Sequence, residues 1–172
     1  MQLFSLKDKV VVVTGGTGIL GGAFVEAIAE AGGSVVIIGR NKERGENRAA
    51  EIKATGADCI FIAADVLNEK ELIAAREKIL RLYQKIDGLV NAAGGNIPQG
   101  IHQPDMDIFS INLDGMKKAM DLNLWGTLIP TQIFGAVMGK QGFGSIVNIS
   151  SVNSKRAVTK VLGYNMGKAA VD

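Results

Sequence analysis

The 172-residue chain has one cysteine, one histidine, one tryptophan and three prolines, and no apolar run approaching the ~18 residues of a membrane span. A lone Cys59 excludes an internal disulfide, and with only His102 beside it no His/Cys cluster has the spacing of a metal site. No sign of charge dominates: the formal net charge is +2, and Lys and Arg are scattered without a stripe or interleaved aromatics, which argues against nucleic-acid binding. The opening MQLFSLKDK has no apolar stretch of signal-peptide type, so the expected location is the cytoplasm. Cys59 reads as a buried strand residue and His102 as a loop surface group.

What is abundant is glycine, 22 residues, well above the usual ~7%, without any visible repeat. With 47% hydrophobic residues the chain can build a core, and its length fits a single domain over residues 1–172. Apolar runs of strand length alternate with amphipathic stretches of helical length, as in a parallel sheet covered on both faces. Strands are expected at Val10–Thr14, Ser34–Ile38, Cys59–Ala63, Gly88–Asn91 and Ser145–Ile149. Helices are expected at Leu20–Ala31, Lys42–Thr55, Glu69–Lys85 and Leu113–Val137, with a last one beginning around Tyr164. Gly126 and Pro130 predict a bend in the fourth helix. Right-handed crossovers give an α/β doubly wound (Rossmann) sheet of order 3-2-1-4-5, with ligands over its carboxyl edge where the order reverses. Gly95–Asn112 is too rich in Pro, Gly, Asn and Asp to be regular and is read as part of a substrate wall.

Two constellations carry chemistry. The first is TGGTGILGG, which follows the β-branched run Val10–Val13 and leads into the helical pattern Phe24, Ile28, Ala31. In that strand–turn–helix context Gly15 permits the tight turn, Gly18 lets backbone approach a pyrophosphate, and Gly21 lets the helix pack closely, with phosphates over the helix N-terminus. The second is Tyr164 and Lys168, four residues apart and so on one helical face, with Ser151 thirteen residues upstream at the close of an apolar run. A phenol with a free pKa of about 10 is a poor acid or base near neutrality, but a fixed neighbouring cation favours its phenolate. The end of the second strand, Gly39, lies 21 residues beyond Gly18, where a carboxylate would hold a ribose 2′-hydroxyl; Arg40, Asn41 and Lys42 follow, and Ser34–Lys42 contains no Asp or Glu. A guanidinium suits a 2′-phosphate, which favours NADP over NAD; the alternative is that Arg40 stacks on adenine.

In order, Thr14–Gly21, Asp65-Val66, Asn91-Ala92-Ala93-Gly94, Asn123, Ser151, Tyr164 and Lys168 resemble the short-chain dehydrogenase/reductase family from Leu6 to Asp172. Two positions depart from it. The glycine spacing TGxxGxxG is that of the extended branch, whereas everything downstream looks classical, and Ala92 replaces the second Asn of the usual NNAG. The resemblance implies a carbonyl/alcohol oxidoreductase using NADP or NAD on a small-molecule substrate, working as a homo-oligomer. It implies that Tyr164 exchanges a proton with the substrate oxygen and that Lys168 assists it and holds the nicotinamide ribose. Ser151 is implied to bond the substrate oxygen, and Asn123 to bend its helix and hold a water relaying protons to Lys168. Ser150 competes with Ser151, and the thirteen-residue spacing prefers Ser151.

Gly15, Thr17, Gly18, Ile19, Gly21, Arg40, Asn41, Asp65, Val66 and Asn91–Gly94 are the implied cofactor contacts, with Tyr164 and Lys168. Asp65 has a plainer alternative as a helix N-cap, and Asn91–Gly94 as a tight turn. The GGN after NAA resembles the family's sugar-acid reductases, of mannonate/fructuronate or gluconate type. Family members run on for two further strands and a lid, so the chain reads as C-terminally incomplete, with strand five as an open edge and little turnover expected of these 172 residues alone. A nucleotide-binding scaffold is the competing reading; an epimerase of the extended branch is disfavoured by the Ser–Tyr spacing and the short loops.

Overall fold

β-branched runs build the sheet. The computed structural model describes residues 4–172, with parallel strands β1 (Val10–Thr14), β2 (Ser34–Gly39), β3 (Cys59–Ala63), β4 (Gly88–Asn91) and β5 (Ser145–Asn148) in the order β3-β2-β1-β4-β5. β1 sits between β2 and β4 in register, Val12 opposite both Val36 and Leu89. Strand side chains alternate between faces, so the unbroken valine run supplies two cores at once. Val10 and Val12 join Val36, Ile38, Leu72, Ile79, Leu89 and Phe134 on one face; Val11 and Val13 join Val25, Ile28, Val35, Ile37 and Ile52 on the other.

The first face is covered by α3 (Glu69–Tyr83) and α4 (Leu113–Gln141), the second by α1 (Ile19–Glu30) and α2 (Lys42–Ala54). A short α5 (Leu162–Ala169) packs against α4. α4 continues four residues past the expected end because Gln141 reaches β4's approach, accepting from Ile86 N (3.0 Å) and donating to Ile86 O (2.8 Å); Gly142, at φ 78°, then stops it. α3 stops early, at Gln84, a non-glycine residue at φ 63°. Pro130 lies buried within α4 and leaves the Gly126 carbonyl without its helical donor.

Gly95–Asn112 is irregular, as its composition predicts, with 3₁₀ turns at Pro98–Gly100 and Ile108–Ser110. It is tied across to the segment before α5 by His102 N–H donating to Lys160 O (2.7 Å). β5 is an edge strand and all four of its residues are exposed, Ile146 and Val147 among them.

Candidate active site

The sheet order reverses about β1, and crossovers leave to opposite sides there, opening a crevice at the strands' carboxyl ends. A cleft of ≈ 400 Å³ occupies it, lined by Gly15, Thr17, Gly18, Ile19, Leu20, Gly21, Ile38, Gly39, Arg40, Ala64, Asp65, Val66, Ala92, Ala93, Gly94 and Leu122. Two glycines are dictated sterically. Gly15 is at φ 67°, and a Cβ there would stand 2.8 Å from the Ala93 backbone; a Cβ on Gly21 would stand 2.2 Å from the Gly15 carbonyl oxygen. α1 has no side-chain cap, and Gly22 is the first amide to bond back, to Gly18 O at 2.8 Å. The amides of Ile19, Leu20 and Gly21 therefore have no partner among the described residues. Free N–H groups at the positive end of a helix dipole, with no carboxylate in its first turn, suit a pyrophosphate.

The cleft walls are braced by their own hydrogen bonds. Thr14 Oγ1 accepts from both Ala92 N and Ala93 N (3.2 Å each), which pins the Ala92–Gly94 segment against the glycine turn. Asp65 Oδ1 accepts from Leu67 N (3.0 Å) while its own N–H donates to Glu71 (2.8 Å). The cap of α3 is Asn68, paired reciprocally with Glu71, so the plainer N-cap reading of Asp65 gives way to a turn that leaves Asp65 at the cleft. Arg40 lies opposite with Nη1 3.9 Å from Asp65 Oδ2, largely exposed and loosely held.

Four expected contacts stand apart from the lining: Asn41, Asn91, Tyr164 and Lys168. Asn41 is the N-cap of α2, its side chain accepting from Arg44 N (2.9 Å). Asn91 is 1% exposed, and its Nδ2 donates to Thr131 Oγ1 (2.8 Å) and Asn148 Oδ1 (2.9 Å), so its side chain knits β4 to α4 and β5 instead of facing a ribose. The alternation that points Thr14 and Asn91 into the sheet leaves the contacts of the NAAG segment to Ala92, Ala93 and Gly94.

Tyr164 and Lys168 lie on one face of α5, the Lys168 ammonium 5.8 Å from the Tyr164 ring centroid. Tyr164 is half-buried; Lys168 is 5% exposed, and burial holds its pKa below the usual lysine value. Its Nζ donates to Ile149 O (2.7 Å), leaving two donors uncommitted, and a Cβ on Gly94 would stand 3.2 Å from it. The ammonium thus stands behind the cleft at Gly94, where only the absence of a side chain leaves it room. Asn123 is fully buried, with Oδ1 accepting from Gly95 N (3.1 Å) and Nδ2 donating to Gly95 O (2.8 Å) and Ala119 O (2.7 Å). Both amide hydrogens are used, so the side chain braces the exit from β4.

Ser151 is half-buried, its Oγ accepting from Asn153 N (3.2 Å), which leaves the hydroxyl proton free to donate. The Ser150 hydroxyl is shut off from solvent, which favours Ser151 of the two. Cys59 is buried in β3 and its thiol is pushed up to about 11 by burial and by Asp58, so it is inert. His102 is half-buried, its Nε2 on Met106 O at 2.9 Å. No group of three His, Cys, Asp or Glu able to hold a metal occurs among the described residues, and no helix there is long and apolar enough to cross a membrane. Leu20, Ile38, Ala64 and Leu122 in the cleft, and Asn153 and Asn165 beside it, carried no role in the sequence expectations. Leu20 and Leu122 adjoin motif residues, whereas nothing local marks the two asparagines.

The chain is 32% identical over 176 residues to an uncharacterized oxidoreductase, UxuB, of Bacillus subtilis (strain 168), covering 98% of this chain and 63% of that one. It is 33% identical over 168 residues to a 7alpha-hydroxysteroid dehydrogenase of Bacteroides fragilis, covering 96% and 62%. A solved structure from Haemophilus influenza, described as a proposed D-mannonate oxidoreductase with bound NAD, superposes with a TM-score of 0.89 at 31% identity, covering 97% of this chain and 63% of that one. The chain therefore spans about three-fifths of the length of the curated relatives it matches. A family model described as short chain dehydrogenase matches residues 9–172, which together with the glycine turn, the switch-point cleft and the Tyr164–Lys168 face places the chain in the short-chain dehydrogenase/reductase family of oxidoreductases.

Proposed function

We propose that the complete protein interconverts a carbonyl and a secondary alcohol by hydride transfer, using a nicotinamide cofactor and acting on a sugar acid. The observation that carries this reading is the buried Lys168 ammonium, which stands where a side chain on Gly94 of the cleft would meet it and lies beside the half-buried Tyr164 ring. The cleft fits such a cofactor: an uncapped helix N-terminus for the pyrophosphate, glycine cradles that a Cβ would fill, and Asp65 and Arg40 at the far wall. When bound, the nicotinamide supplies or accepts the hydride. In the reducing direction Tyr164 gives its phenolic proton to the substrate oxygen. Lys168, with two uncommitted donors, holds ribose hydroxyls and stabilises negative charge on the phenol oxygen. Ser151, its oxygen already accepting from Asn153 N–H, donates a hydrogen bond to the substrate oxygen as charge develops there and keeps its own proton.

NADP is the favoured cofactor in this reading, because Arg40 lines the cleft beyond Gly39 and no carboxylate occurs over Ser34–Lys42. Its 3.9 Å pairing with Asp65 at 72% side-chain exposure is weak enough to exchange for a phosphate. The sugar-acid class rests on the Gly94-Gly95-Asn96 segment and on the likeness to the proposed D-mannonate oxidoreductase. Exposed Trp125 and Leu128 on α4, with Leu162 and Met166 on α5, support a homo-oligomer. The test is Tyr164→Phe in the complete protein, assayed on a panel of keto sugar acids with NADPH and NADH. Turnover should fall at least a thousandfold while cofactor affinity stays within about twofold. Near-normal turnover of the phenylalanine variant overturns the mechanism.

A further inference from the structure

Ser151 and the Tyr164–Lys168 pair must act on one substrate oxygen, yet they sit on different elements joined by a largely exposed segment. One partly buried link spans them. Asn165, adjacent to Tyr164 and only 7% exposed, donates Nδ2 to Val158 O (2.7 Å) and accepts at Oδ1 from Asn153 Nδ2 (2.8 Å). A carbonyl can only accept, so Val158 fixes which way the Asn165 amide points, and Asn165 in turn fixes Asn153. The backbone N–H of Asn153 then donates to Ser151 Oγ (3.2 Å).

Resting on the reaction read above, we propose that Asn153 and Asn165 are positioning residues: their amide pair holds the serine turn against α5 and thereby aims the Ser151 hydroxyl at the oxygen that Tyr164 serves. The other ties hold the turn without reaching Ser151: the Asp172 carboxylate, past the end of α5, faces Ser150, Ser154 and Lys155. Lys155–Asp172 (3.0 Å) involves a lysine side chain that is 78% exposed and is screened by solvent, and Lys168 holds Ile149, two residues short of Ser151. The pair also sets the serine's proton. With its oxygen occupied by the Asn153 N–H, the hydroxyl keeps its hydrogen for the substrate; with the turn released, it rotates among several acceptors.

The experiment is Asn153→Ala in the complete protein, alone and in a Ser151→Ala background, with turnover of the panel's best keto sugar acid and cofactor affinity both measured. The single variant should lose about tenfold to a hundredfold in kcat with cofactor affinity within about twofold, and in the Ser151→Ala background the same change should move kcat less than about twofold. An equal loss in both backgrounds, or no loss in either, overturns the proposal. Asn153→Asp keeps the volume but sets an oxygen against Asn165 Oδ1, and should reproduce the loss if the alanine variant does not fold. Should Ser151→Ala and Tyr164→Phe themselves leave turnover intact, the reaction is what fails, and hydrogen exchange decides the positioning separately. Asn165→Ala should speed exchange of the Asn153 amide about tenfold while core amides such as Val12 stay protected; an unchanged Asn153 rate overturns it.

Discussion

Asn123→Ala is the perturbation whose size the structure defines best. The side chain is fully buried and makes three hydrogen bonds, two to the backbone of Gly95 and one to Ala119 O. Truncation strands the Gly95 N–H and C=O where the chain leaves β4, while the Ala119 carbonyl keeps its helical donor. A lost hydrogen bond costs about 1 kcal/mol net, and a buried group left unpaired about 1–3 kcal/mol. Gly95 is only half-buried, so water recovers part of this, and the expected loss is about 2–3 kcal/mol of unfolding free energy. With an m-value of about 2 kcal/mol/M the urea midpoint should fall by about 1 M at unchanged slope. Cofactor affinity should fall too, because Gly95 anchors the segment whose Gly94 floors the cleft. Equilibrium urea unfolding and a cofactor titration on the same preparations check both. A midpoint shift below about 0.2 M would show that the β4 exit is held elsewhere, and the bracing role given to Asn123 would have to be abandoned.

Other outcomes follow from single groups. Arg40→Asp should turn the cofactor preference from NADPH to NADH, by removing the phosphate's partner and supplying a ribose acceptor; paired titrations of wild type and variant check it, and tighter wild-type binding of NADH contradicts the assignment. Asp87 is 7% exposed. Burial pulls its pKa up, but Val10 N–H (2.8 Å), Lys85 (3.2 Å) and Lys9 (3.4 Å) together hold it below the usual value. Its contribution is therefore present above the unfolded carboxylate pKa and lost as pH falls through the lower folded one; Asp87→Ala should cost about 2–3 kcal/mol near neutrality and flatten the acid side of the stability curve. Lys168 has the same sign in an alkaline window: between its lowered folded pKa and the unfolded value the unfolded chain binds more protons, so stability rises with pH there. In Lys168→Met that rise should vanish, read as the difference in urea midpoint between pH 7 and pH 10, while cofactor binding weakens.

Where local chemistry decides, the fold could be read in advance. The β-branched runs fall on the observed strands to within a residue because nothing else competes for Val10–Val13 or Val35–Ile38. Helix ends were less legible, since Gln141 lengthens α4 through a bond to Ile86, 55 residues away, and Gln84 ends α3 in a conformation usually left to glycine. The site divides in the same way. Gly15, Gly21, Tyr164 and Lys168 act through backbone shape and helical spacing, both visible in sequence. Asn91 does not: its partners Thr131 and Asn148 lie 40 and 57 residues on, and they draw its side chain into the sheet. Two assignments could have been better made from the residues alone. Asn41 before Lys42 is an N-cap signal, and Asn68 with Glu71 three residues later has capping-box spacing, which marks Asn68 as the cap and relieves Asp65 of that duty, although Glu71 accepts from Asp65 N–H and the Asn68 side chain and not from Asn68 N–H.

Gly94 is where the cleft and the reaction centre become one object. It lines the cleft, yet a Cβ there would stand 2.7 Å from Asn123 Oδ1 and 3.2 Å from Lys168 Nζ. The segment before it is held to the glycine turn by Thr14, and the residue after it is held to α4 by Asn123. Lys168 in turn reaches back to the end of β5 through Ile149 O. Three elements distant in sequence thus converge on one residue without a side chain, and the missing side chain is what lets a buried ammonium approach the cleft. A lysine so enclosed is costly to charge, and the chain offers it no carboxylate partner among the described residues, only the Ile149 carbonyl and the open donors above Gly94. An isolated buried cation with unused donors is hard to explain as a stabilising device; it makes physical sense where hydroxyl and phenol oxygens are to be held beside it.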